Sequence, residues 1–194
     1  EQEIIRRYYK SMCAVTQGLA SQSEVSKIET LMTQLCISSD DRPVVKAAAD
    51  KSEQTGGPAV ALELNDGRIV TRKTSSLLGS SAACLLNALK TLADIDDDKL
   101  LISPQVIEPI QKLKLGHMGN RNPRLHTDEI LIALSICAVT DPDAQRAMEQ
   151  LAELKNTEGH STVILSHVDE NIFNKLGVNM TCEPKYQTKK LYHR

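Results

Sequence analysis

"PAVALELNDGRIVTRK", Pro58 to Lys73, is where the chain changes its period. Two strand-like runs rich in Val, Ile and Leu flank Asn65-Asp66-Gly67, residues that tolerate the positive φ of a tight turn. The stretch predicts an antiparallel hairpin. Residues before it read as helix, and residues after it alternate between strand and helix.

Upstream, residues 1–55 form a helical segment. "EIIRRYYKSMCAVTQG" stops near Gly18, and Val25, Ile28, Leu31, Met32 and Leu35 share one face at spacings of three and four. Acids before Pro43 open a third helix, which Gly56 and Gly57 end. Downstream, residues 56–194 read as an α/β domain. "TSSLLGSS" leads into the helix "AACLLNALKTLA", capped by Ser80 or Ser81. "LLISPQVIEPIQKL" and "TVILSHVDENIFNKL" each read as strand, Ser and helix, with Pro109 kinking or delaying the first helix. Such units favour parallel strands. Between them lie the buried helix "ILIALSICAV" and a helix from Asp141-Pro142 to Lys155. The end, "GVNMTCEPKYQTKKLYHR", is one short strand and a basic tail. The expected fold is α/β, a mixed sheet of hairpin and parallel units behind N-terminal helices.

Composition narrows the class. The 194 residues are 41% hydrophobic, 25% charged and only 3% aromatic, so aliphatic side chains must build the core. A net charge of −2 offers no broad basic field, and nucleic acid is not an expected partner. Five widely spaced cysteines without a C-x-x-C pair fit a reducing compartment. No run is long enough to span a membrane and the N-terminus is no signal peptide, so the chain reads as cytoplasmic. It starts without Met inside a helical pattern, which reads as part of something longer.

Two segments could carry chemistry. "TSSLLGSS" comes after a strand and opens a helix. Thr74, Ser75, Ser76, Gly79 and Ser80 could present N–H and hydroxyl donors to an anion there. The same residues serve equally as a capped, tight turn. The second segment is "GNRNPRLHTDE", residues 119–129. Thr127 would cap the next helix with Asp128 and Glu129 in its first turn, which leaves Asn120, Arg121, Asn122 and Arg124 to explain. Two guanidinium forks three residues apart suit phosphate or carboxylate, or they pair within the fold. His126 is the one candidate acid or base.

"HTDE" at His126 and "HVDE" at His167 repeat a motif, and His117, His160 and His193 are also present, but the spacings of zinc sites are missing and no metal is expected. No G-x-S-x-G elbow occurs, and Ser103 and Ser166 are read as caps.

Five blocks carry a resemblance: "QEIIRRYYK", "GRIVTRKTSSLLGSSAACLLNALK", "GNRNPRLHTDEILIALSICA", "HSTVILSHVDENIFNKLGVNMTCEP" and "YQTKKLYH". In this order the chain resembles the C-terminal part of the bacterial family of uncharacterised proteins known as domain of unknown function 1846. The resemblance implies a longer protein whose N-terminal half, a partner of this part, carries a Gly-rich "GPGSGK"-like stretch suited to nucleotide phosphate. It also implies a cytidine-deaminase-like architecture. The deaminase zinc motif is missing, since the helix reads "SSAACLLNA" and no P-C-x-x-C comes after it.

The expected function is binding of a small anionic or phosphorylated ligand, with nucleotide chemistry completed by the N-terminal half and the cofactor unknown. The rivals are an oligomerisation module without a ligand, built as a homo-oligomer, and a metal-dependent hydrolase.

Overall fold

The computed structural model describes residues 1–187. The basic end of the chain from residue 188, with His193, lies outside them. Helices α1 (Gln2–Thr16) and α2 (Gln22–Gln34) pack through Ile5, Tyr9, Ile28 and Met32. Helix α3 (Pro43–Thr55) begins on its proline, whose missing N–H costs nothing in a first turn, and ends at Gly56 with φ of 66°.

The hairpin is present as read. β1 (Ala59–Glu63) pairs antiparallel with β2 (Ile69–Lys73), and Gly67 takes φ of 84° in the turn. β3 (Glu158–Ser161) runs antiparallel to β1, and β4 (Asn179–Cys182) runs parallel to β3, giving a mixed sheet in the order β2-β1-β3-β4. Successive side chains of a strand face opposite sides. Val60 and Leu62 enter the main core with Leu85, Leu89, Leu134 and Phe173, while Ala61 meets Val44 and Ala48 of α3 on the other face. Both faces are covered, so β1 reads as a continuous apolar run rather than an alternating one.

The main core is closed by α4 (Ser80–Leu92), α5 (Pro104–Gly116), α6 (Thr127–Cys137), α7 (Pro142–Glu149) and α8 (His167–Leu176). Helix α8 connects the two parallel strands, the one strand-helix-strand unit of the described sheet.

Several expectations need correction. Leu100–Ile102 is no strand; Leu101 and Ile102 are buried in a bend, and α5 starts at once behind its N-cap Ser103 with Pro109 inside it. The other expected strand, "TVIL", is displaced, because the sheet uses Glu158–Ser161 just before it. The polar run "EGHS" pairs because its polar groups find partners: His160 Nδ1 meets the Thr181 hydroxyl at 2.9 Å, and the buried Arg42 donates to the Gly159 carbonyl at 2.9 Å. Gly159 leaves room for the Met180 side chain, whose Sδ would stand 2.2 Å from a Cβ there. Helix α6 is not buried all round either. Ile132 and Ile136 are 62% and 64% exposed, on the face turned away from Ile130, Ala133 and Leu134.

All five cysteines are free. Among the described residues no helix is long and apolar enough to cross a membrane.

Candidate functional site

The donor-rich turn at 74–81 and the polar segment at 119–129 are far apart in sequence, and the fold joins them. Leu78 and Leu125 form a parallel bridge in which Gly79 N–H donates to the Leu125 carbonyl at 3.1 Å and Leu125 N–H to the Leu77 carbonyl at 3.0 Å. Arg124 adds a bond from Nε to the Ser75 carbonyl. Beside this seam opens a cleft of about 240 Å³, walled by Thr74, Gly79, Ser80, Ser81, Arg124 and His126 on one side. Asn122, Val163 to Ser166, Asp169, Tyr186 and Gln187 complete it. The cleft lies beyond the carboxyl ends of β2 and β3, where open α/β sheets place ligands.

Helix α4 opens on this cleft without a cap. Its N-cap is Gly79, not the expected Ser80 or Ser81, and glycine has no side chain to accept from the first turn. The N–H groups of Ser80, Ser81 and Ala82 bond to no described residue. Free donors and the positive end of the helix dipole therefore face a polar cavity.

Across the cleft, His126 is the N-cap of α6, and Thr127, the expected cap, is its first residue. Three groups fix the histidine. Its backbone N–H donates to Glu129 Oε2 at 2.8 Å, and that carboxylate is held by the buried Lys114 ammonium at 2.6 Å. The same ammonium donates to the Arg124 carbonyl at 2.7 Å, so Lys114 clamps both ends of the 124–126 turn. The imidazole itself meets Asp169 Oδ2 through Nδ1 at 3.1 Å.

Asp169 is 7% exposed and has its acceptor sites filled. Thr127 donates to Oδ1 from N at 3.0 Å and from Oγ1 at 2.9 Å, and the Ser166 hydroxyl donates to Oδ2 at 2.8 Å. Burial pushes the carboxyl up, but the His126 bond and the Thr127 and Ser166 donors outweigh it and hold the pKa below its ordinary value. The bond to this fixed anion raises the His126 pKa above its ordinary value, against burial, which opposes it. With Nδ1–H spent on Asp169, Nε2 is the working atom. It bonds to no described residue. A histidine so oriented can bind an anion as imidazolium, or pass a proton at Nε2.

The remaining candidates divide. Ser75 shapes the turn, its hydroxyl accepting from Leu78 N–H at 3.0 Å, and the Ser76 carbonyl accepts from Gln111. Neither lines the cleft. Asn122 does, and its Oδ1 accepts from Arg124 N–H at 3.1 Å. Asn120 and Arg121 are exposed and line a neighbouring depression that shares Asn122 and His126 with the cleft. Arg121 forms no ion pair with a described residue, whereas Arg124 is 6% exposed. Ser81, Ser166 and Asp169 were not singled out as site residues from sequence. The signal was the Ser-x-x-Asp pattern at 166–169, which as a helix cap is complete without any His126. Among the described residues no cluster of three or more His, Cys, Asp or Glu is arranged to hold a metal.

A mixed-sheet α/β protein with a polar cleft at its strand ends is the class that fold and geometry define. Residues 40–192 match the model of the family "Domain of unknown function DUF1846, C-terminal", and the chain belongs to that family. It is 53% identical over all 194 residues to the UPF0371 protein str1377 of Streptococcus thermophilus and 52% identical to a UPF0371 protein of Streptococcus pneumoniae strain CGSP14. The match to UPF0371 protein SpyM50764 of Streptococcus pyogenes is also 52%. In each case the whole chain aligns with 39% of the longer relative's length.

Proposed function

We propose that the cleft binds a small anionic ligand, best a phosphoryl group, and that His126 is its acid or base. The observation that carries this reading is the convergence on one cavity of an uncapped helix start and an Asp169-oriented imidazole. Phosphate would accept from the N–H groups of Ser80 and Ser81, as anions do at helix N-termini, and from His126 Nε2–H and Arg124. Thr74 and Asn122 would orient it from the rim. Nucleotide chemistry would be completed by the rest of a longer polypeptide, a partner this reading takes from the length of the relatives. The implied resemblance to cytidine deaminases adds no chemistry to this reading, because α4 carries Ser80-Ser81-Ala82-Ala83-Cys84 where a deaminase would carry a zinc ligand and acid.

A second reading makes the domain a homo-oligomerisation module, and the exposed Ile132 and Ile136 favour it. It requires no anion, so one titration separates the two. Inorganic phosphate is titrated calorimetrically into the intact protein and its Gly79→Asp variant. A Cβ at Gly79 meets nothing closer than 3.7 Å, so the variant fits. Its carboxylate caps α4 and should stabilise the fold by roughly a few tenths of a kcal/mol. The same carboxylate occupies and repels the anion position, so phosphate binding should disappear. Absence of binding in the parent, or undiminished binding in the variant, refutes the ligand reading.

A further inference from the structure

We propose that the ligand is a phosphomonoester of a neutral, polyhydroxylated body, with its phosphate in the cleft and its hydroxyls in the neighbouring depression. This rests on the proposed anion site and names what the anion is attached to. The two cavities share His126 and Asn122 among their lining residues, so a ligand bound against His126 in the cleft would extend over these side chains into the depression. The cleft alone, at about 240 Å³, is below the ~300–1,000 Å³ typical of ligand pockets. The depression adds a more open volume of about 370 Å³.

Charge says what each part takes. The cleft faces a histidine biased towards its cation and the positive end of α4, with Asp169 the one carboxylate among its described lining residues. The depression is balanced. Lys114 and Glu129 are consumed by each other at 2.6 Å, and Arg121 stands with Asp128. A second phosphate there would meet two carboxylates and gain one free guanidinium. Hydroxyl groups suit it better, since each both donates and accepts. Arg121 and the side-chain amides of Asn120 and Asn122 supply donors. Asp128 supplies an acceptor, with Oδ1 taking Glu129 N–H at 2.8 Å and Oδ2 bonded to no described residue. A nucleobase fits poorly: among the described residues lining the depression, Val168 is the one apolar residue and His126 the one ring.

Calorimetric titrations of the intact protein with orthophosphate, a hexose 6-phosphate and a hexose 1,6-bisphosphate test this. The monophosphate should bind at least roughly tenfold tighter than orthophosphate, and the bisphosphate no tighter than the monophosphate. Arg121→Ala and Asp128→Ala should each erase the gain of the sugar while leaving orthophosphate affinity unchanged. Equal affinity for orthophosphate and the monophosphate, or tighter binding of the bisphosphate, overturns the proposal and leaves the anion site standing. Failure of all three to bind overturns the anion site, and this proposal with it.

Discussion

His126 and His160 each stand beside a carboxylate, Asp169 at 3.1 Å and Glu183 at 3.4 Å, but in different surroundings. The His126 side chain is 29% exposed at the rim of a cleft, and its partner is an anion fixed by three other donor groups. Its pKa is raised. The His160 side chain is 1% exposed, wedged against the Tyr9 ring with centroids 4.8 Å apart, and burial lowers its pKa despite Glu183. Like chemistry is thus used twice. Where water is excluded the imidazole is driven towards neutrality and becomes part of the wall, and where a cavity remains it is oriented and its cation is favoured.

The arginines repeat the contrast. Arg42 is fully buried, donates to Thr181 Oγ1 and the Gly159 and Asn179 carbonyls and forms an ion pair with Glu158, tying the helical segment to β3 and β4. Arg124 is nearly as buried, yet it borders the cleft. Arg121 is exposed. Truncation should track that order. Arg42→Ala takes the ion pair from Glu158 Oε2 and a buried donor from Thr181 Oγ1 and two sheet carbonyls, and its cost should be greatest, about 3–5 kcal/mol by urea denaturation. Arg124→Ala loses a bond that joins the two site segments and should cost about 1–3 kcal/mol. Arg121→Ala should stay within about 0.5 kcal/mol. An Arg42 variant as stable as the Arg121 variant would break the distinction between a closed, structural cluster and an open one.

These differences mark where sequence reading succeeds and where it stops. The hairpin was legible because "NDG" and its flanking runs are local signals, and the helix ends at Pro43 and Gly56 likewise. β3 was not legible, because its buried positions include His160 and Ser161, and the partners that make His160 tolerable, Thr181 and Glu183, lie more than twenty residues away, as does Arg42 on the Gly159 carbonyl. The exposed face of α6 was hidden in a run that is apolar on every side. At the site, surplus donors in 119–129 were visible, as was the donor-rich turn at 74–81. Their apposition through Leu78 and Leu125 was not, nor was Asp169, forty-three residues from the histidine it orients.

A smaller effect sharpens the histidine comparison through pH. His160 has a depressed native pKa, so its contribution to stability is complete above about pH 6.5, the unfolded value, and is lost as pH falls towards the native one. His126 has a raised native pKa, so its contribution is complete below about pH 6.5 and is lost as pH rises through the native value. In urea midpoints measured from pH 5 to 8 (a window chosen around that ~6.5), His160→Gln should flatten the acid flank. His126→Gln should flatten the alkaline flank. A variant that leaves its flank unchanged removes that histidine from the account.

The central claim is that Asp169 orients His126 and raises its pKa, with Nε2 open to an anion. Nuclear magnetic resonance of the imidazole rings, titrated with and without phosphate in the intact protein, tests it most directly. His126 should titrate above its unfolded value of about 6.5 and move further upward when phosphate binds, while His160 titrates below that value and ignores phosphate. A His126 resonance that titrates below about 6.5, or one that phosphate leaves unmoved, contradicts the claim.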